Sequence, residues 1–154
     1  MTRGEWEVGD MLSLPNDDDA MGPNKTMLNL LLVSLIGLDL AYTVVAFFFR
    51  DLWFQAFHGT AYIDPEGLLP RSGAVWLAFA LVQLATLLNW RSKPHWLAIT
   101  AGLRSAELFT EWTYLYCAHD ITSLGRVGLL ASTPANALVC WFFYRSFLKT
   151  MNQQ

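Results

Sequence analysis

The chain has 154 residues, 54% of them hydrophobic and 14% aromatic, with a formal net charge of −3 and a mean hydropathy of +0.31. That is one domain's length, far more apolar than an average soluble domain. The acidic balance excludes a nucleic-acid partner, because phosphate binding needs a basic footprint. Two cysteines, Cys117 and Cys140, are too few for a disulfide framework. They fall on different predicted helices and read as small apolar side chains.

Residues 1–26, "MTRGEWEVGDMLSLPNDDDAMGPNKT", form a polar, acidic arm without lasting periodicity. Such a segment needs a neighbour to order it, and a second subunit would serve. No cleavable signal is evident, and the first apolar segment itself is expected to direct insertion. Four apolar segments follow, at 27–49, 73–90, 95–118 and 127–148. Each is long enough, or nearly so, to cross a hydrocarbon layer of about 30 Å as a helix, which satisfies its own backbone there. Pro134 is expected to kink the fourth. The loop after the first span carries Trp53, Phe54, Phe57 and Tyr62, rings that suit a membrane interface. It predicts a short interfacial helix near 51–57, and "DPEG" predicts a turn. The fold class expected is all-α: an integral membrane four-helix bundle with a polar amino-terminal arm, an interfacial loop and a short tail over 150–154. Basic residues orient it. Arg3, Lys25, Arg91, Lys93, Arg145 and Lys149 share one side, against Arg50, Arg71 and Arg126 on the other. Both termini are therefore expected on the cytoplasmic side.

The third span is interrupted by charge. Arg104, Glu107 and Glu111 recur at i, i+3 and i+7 and share one helix face, which Thr100 and Tyr114 extend. Each other span also has a polar residue near its middle: Asp39 on the first, Gln83 with Thr86 on the second, Asn136 on the fourth. At a rise of about 1.5 Å per residue, Asp39, Gln83, Glu107 and Asn136 fall within about one turn of the midplane. Facing lipid is the costly alternative, so Asp39, Gln83, Arg104, Glu107, Glu111 and Asn136 are expected to converge inside the bundle. Arg104 is expected to neutralise Glu107, leaving Glu111 to another partner. Three carboxyls against one guanidinium require that one carboxyl hold a proton or meet a cation from outside the chain. Glu107 and Glu111 are the candidate catalytic groups. Small residues recur every fourth position at Gly128, Ser132, Asn136 and Cys140, and again at Ala98, Gly102 and Ala106. Both rows are expected to pack helices within the chain.

His95 belongs to the opposite side from His58 and His119, so no haem pair is formed. His58, His119 and Asp120, with Asp64 or Glu66, read as interfacial polar residues rather than as a metal site. There is no phosphate-binding glycine loop and no nucleophile beside a base.

From Arg91 onward, "RSKPHWLAITAGLRSAELF" and "NALVCWFF" resemble the EXPERA-domain family of four-helix membrane proteins, which includes sterol isomerases and sterol-binding relatives. The resemblance implies a helical pocket for sterol-like or cationic amphiphilic ligands. Glu107 would stand for the family's acidic residue and Asn136 for its cavity-lining asparagine.

The reading that best accommodates the sequence is an accessory or structural subunit of a larger membrane complex of respiratory or photosynthetic type. Its partners are membrane lipid and other membrane subunits that contact the arm. A lipid- or sterol-binding protein or isomerase is the alternative, and it requires an enclosed cavity beside Asp39, Glu107, Glu111 and Asn136. A small proton-coupled transporter is the second alternative. No cofactor is indicated.

Overall fold

The described residues, 25–118 and 120–152 of this computed structural model, form five α-helices and contain no strand. The predicted arm, apart from Lys25 and Thr26, lies outside the described residues, as does His119. The helices are α1 Lys25–Phe48, α2 Arg50–His58, α3 Leu68–Asn89, α4 His95–Cys117 and α5 Ser123–Met151.

α1, α3 and α5 are each long and apolar enough to cross a membrane. α4 has 23 residues, a comparable length, but carries three charged residues, Arg104, Glu107 and Glu111, close together in its middle. Sequence pattern located the helices better than their ends. α3 begins at Leu68 rather than Gly73 because Asp64 reaches its first turn. Asp64 Oδ1 accepts from the Leu68 amide and Oδ2 from the Leu69 amide, both at 2.8 Å. Those amides have no partner within the helix. α5 begins at Ser123 because Thr122 caps it, its hydroxyl accepting from Gly125 N at 3.0 Å. Pro134 sits inside α5 without ending it.

α1 packs along α3 and α4 along α5, with fewer contacts between the two pairs. At the end bearing the α1 N-terminus, an apolar core joins the pairs. It contains Leu28, Leu32 and Leu35 of α1, Trp90 after α3, Leu97 and Ala101 of α4, and Phe143 of α5. Trp90 Nε1 donates to Asn29 Oδ1 at 3.0 Å, so the indole is buried without an orphaned N–H.

α2 closes the other end. Trp53 stacks on Phe57 with centroids 4.4 Å apart and meets Tyr42 at 5.7 Å and Trp76 at 5.3 Å, fixing α2 to α1 and α3. Gly59, at φ 68°, ends α2, its amide bonding Gln55 O. The last α2 carbonyls are then used by the start of α5: Thr122 Oγ1 donates to Ala56 O at 2.5 Å and Thr122 N to Phe57 O at 2.8 Å. The outer faces stay apolar and open, as at Leu30 (63% exposed), Leu81 (57%) and Leu138 (67%). Helices apolar all round belong in lipid or inside a larger body.

Candidate functional site

The polar residues form two hydrogen-bonded groups and one half-buried carboxyl between them. The first group is centred on Asp39 of α1, which is 1% exposed. Its Oδ2 accepts from Arg104 Nη2 of α4 in an ion pair and from Gln83 Nε2 of α3 at 2.7 Å. Three helices thus meet at one oxygen. The Arg104 guanidinium also lies 5.9 Å from the centroid of the Phe79 ring. One turn along α1, Thr43 donates to its own chain at Asp39 O (2.8 Å) and across to Gly73 O of α3 (3.2 Å). Nearer the apolar core, the Thr86 and Thr100 hydroxyls share a 2.7 Å hydrogen bond that ties α3 to α4.

The second group is centred on Glu111. Thr133 Oγ1 donates to its Oε2 at 2.9 Å and Asn136 Nδ2 to its Oε1 at 3.0 Å, both from α5. Glu107 is half-buried and accepts no hydrogen bond from the described residues. The charges near it are Arg104, Glu111 and Asp39.

The six predicted residues are thus divided between these two groups, with Glu107 in neither, and their pairing differs from expectation. Arg104 turns to Asp39 across the bundle instead of to Glu107 along its own helix. The Asp39 carboxylate is held in place by Gln83, and a preset acceptor on a neighbouring helix outcompetes a flexible one three residues away. Asn136 serves Glu111, whereas Gln83 serves Asp39. The small-residue rows also differ. Gly102, Ala106 and Gly128 are exposed, and a Cβ at Gly102 or Gly128 would meet nothing within 4 Å. The close approaches occur instead at Gly73 and Gly125. Asn136 and Cys140 keep the expected role against α4, Asn136 through Glu111 and Cys140 by donating its thiol to Ala101 O at 3.4 Å.

The sequence reading missed Thr133 as a donor to Glu111, and the pairing of Tyr114 with His58. Tyr114 Oη and His58 Nε2 are 2.5 Å apart, and His58 Nδ1 is 2.8 Å from Asp120 O. Thr133 could have been found by its position three residues before Asn136 on one face of α5. The His58 contact depends on α2 folding back, which no spacing encodes. Asp64 was read only as part of a turn. Burial opposes ionisation there, but the Leu69 and Leu68 amides and the Tyr62 hydroxyl (3.1 Å) bring its carboxyl below the ordinary value.

Among the described residues, the two best-formed concavities are open grooves. One, of ≈ 400 Å³, runs along α4 and α5 beside Ala98, Gly102, Ser105, Trp141 and Tyr144. The other lies on α4 near Phe109, Thr113 and Cys117. Neither is lined by Asp39, Glu107, Glu111 or Asn136. No protein family, curated relative or solved structure matches the chain.

Proposed function

We propose that the chain is an accessory subunit of a larger membrane protein complex, of respiratory or photosynthetic type, built as a four-span bundle. The observation that carries this reading is the use made of the buried polar groups. Asp39, Arg104 and Gln83 are spent on one another across three helices, and Glu111 is spent on Thr133 and Asn136. Such an arrangement clamps helices together, and neither groove offers a substrate access to it.

The fourth crossing belongs to α4. It runs beside α5, with Ala101 next to Cys140 and Glu111 next to Thr133 and Asn136, so it occupies the depth that α5 occupies. Its buried face is Leu97, Thr100, Ala101, Arg104 and Glu111. An arginine at that depth is costly alone, and the Asp39 carboxylate offsets much of the cost. Four crossings place both termini on one side, which the basic residues mark as cytoplasmic. The exposed apolar faces and the uncovered small residues Gly102, Ala106 and Gly128 then serve lipid and neighbouring subunits. The acidic arm supplies a further contact to them.

Native mass spectrometry after mild-detergent extraction from the source membrane tests the reading. The expected result is a set of protein partners in fixed stoichiometry. A lone chain that retains a small hydrophobic molecule would contradict it and favour the lipid- or sterol-binding alternative.

A further inference from the structure

The open groove between α4 and α5, of ≈ 400 Å³, has a floor of small residues from α4, Ala98, Ala101, Gly102 and Ser105, and a wall of Trp141 and Tyr144 from α5. Its polar hydrogens are already used. Ser105 Oγ donates to Gly102 O at 2.7 Å, and Cys140 Sγ to Ala101 O at 3.4 Å. The floor therefore presents an apolar surface. The wall is aromatic and half-exposed, with Trp141 at 56% and Tyr144 at 53%. The contact of Cys140 with Ala101 also sets the depth. Trp141 and Tyr144 are one and four residues further along α5, so the groove lies in the half of the bundle that holds the start of α4.

That end of the molecule carries charge of one sign. Lys25, Arg91, Lys93, Arg145 and Lys149 lie there, whereas every acidic side chain among the described residues lies in the middle of the bundle or at the α2 end. Arg145 adjoins the groove. It is exposed, and its guanidinium stands 5.1 Å from the centroid of the Trp141 ring. Among the described residues no carboxylate pairs with it. A cation held against a ring on a lipid-facing surface gains something from the ring but stays costly until an anion meets it.

We propose that this groove binds one anionic phospholipid of the leaflet on that side, with an acyl chain over Gly102 against Trp141 and Tyr144 and the phosphate at Arg145. The chain covers apolar surface that the two helices leave open. The phosphate takes the paired hydrogen bonds that a guanidinium offers. A zwitterionic lipid brings the same chain and phosphate, but its own ammonium cancels the charge, so the basic end selects a net negative headgroup. A partner's apolar helix would suit the floor but would leave Arg145 without an anion, which is what favours the lipid. The inference rests on the reading of α4 as a membrane-crossing helix.

Quenching of tryptophan fluorescence by phospholipids brominated on the acyl chain tests it. The full chain is placed in mixed vesicles of phosphatidylcholine and phosphatidylglycerol, with one or the other brominated. The Trp141 signal is the difference between wild type and Trp141→Phe. A reference comes from Trp112→Phe in the same way, because Trp112 is 59% exposed on α4 and does not line the groove. Brominated phosphatidylglycerol is expected to quench Trp141 with an apparent affinity about fivefold above that of brominated phosphatidylcholine, the ratio that one basic residue near a membrane surface gives. Trp112 should be quenched by both alike. Arg145→Gln should remove the preference at Trp141. Gly102→Leu should remove it too, by filling the floor at a position where an added Cβ meets nothing within 4 Å. While Trp112 remains quenched, three results overturn the site: equal quenching of Trp141 by the two lipids, a preference that survives Arg145→Gln, or no quenching of Trp141 because the acidic arm or a second copy covers it. A Trp112 untouched by either lipid would instead overturn the crossing of α4 on which the site depends.

Discussion

Asp39 and Arg104 stabilise the bundle only as a pair. Either one alone would be a stranded charge, and removing one partner of a buried pair typically costs about 3–5 kcal/mol. Arg104→Met is therefore expected to lower the stability of the detergent-solubilised protein by that amount, read from its unfolding transition. The double variant Asp39→Asn, Arg104→Met should recover most of the loss, because it leaves no charge unpaired and keeps an acceptor for Gln83. A double variant no better than the single one would show that the guanidinium acts through packing on Phe79 instead. Asp64 is the second residue whose charge state matters. Its carboxyl is lowered on folding, so its contribution is complete above the ordinary carboxylate value and is lost as the pH falls through the lower folded one. Hydrogen-exchange protection of the Leu68 and Leu69 amides should drop over that acidic window, and Asp64→Ala should remove the dependence along with about 1 kcal/mol of helix stability. At this scale the sequence disclosed which residues interrupt an apolar background but not who pairs with whom. The partner of Arg104 depends on how α1 is rotated against α4, and neither helix encodes that rotation by itself.

The five helices differ in what fixes them. The long helices were legible because apolar runs of this length have few other uses, and α2 from its cluster of rings. Their ends were not, since Asp64 and Thr122 act on amides three to five residues away through loop geometry. The packing rows misled for a related reason. A glycine every fourth residue shows where close approach is permitted, whereas the approach itself occurs where the partner helix happens to cross. At Gly73 an added Cβ would stand 2.9 Å from Ala46 Cβ and 3.1 Å from the Phe47 ring. At Gly125 it would stand 2.9 Å from Ile121 Cγ2 and 3.0 Å from Phe57 O. Gly73→Ala and Gly125→Ala are thus each expected to destabilise by about 1–3 kcal/mol. Gly102→Ala and Gly128→Ala should leave the isolated chain's melting temperature unchanged or slightly higher, given the helix propensity of alanine. If they nevertheless weaken assembly with partner proteins in native mass spectra, the uncovered small residues are contact surface. Equal effects of all four substitutions on the isolated chain would contradict the packing described.

The molecule as a whole is two helix pairs joined by an apolar core at one end, a hydrogen-bonded cluster in the middle and α2 across the other end. The cluster lets a charged α4 share the depth of three apolar neighbours. Whether α4 crosses has a consequence of parity: four crossings return the chain to the side on which it began, and three leave it on the opposite side. The most direct measurement is cysteine accessibility in sealed, oriented vesicles, with Cys117 and Cys140 replaced and single cysteines placed at Glu66, Ser92 and Asn152. The account predicts that Ser92→Cys and Asn152→Cys react from one side and Glu66→Cys from the other. Labelling of Asn152→Cys from the same side as Glu66→Cys would mean that α4 does not cross, and the four-span bundle would be wrong.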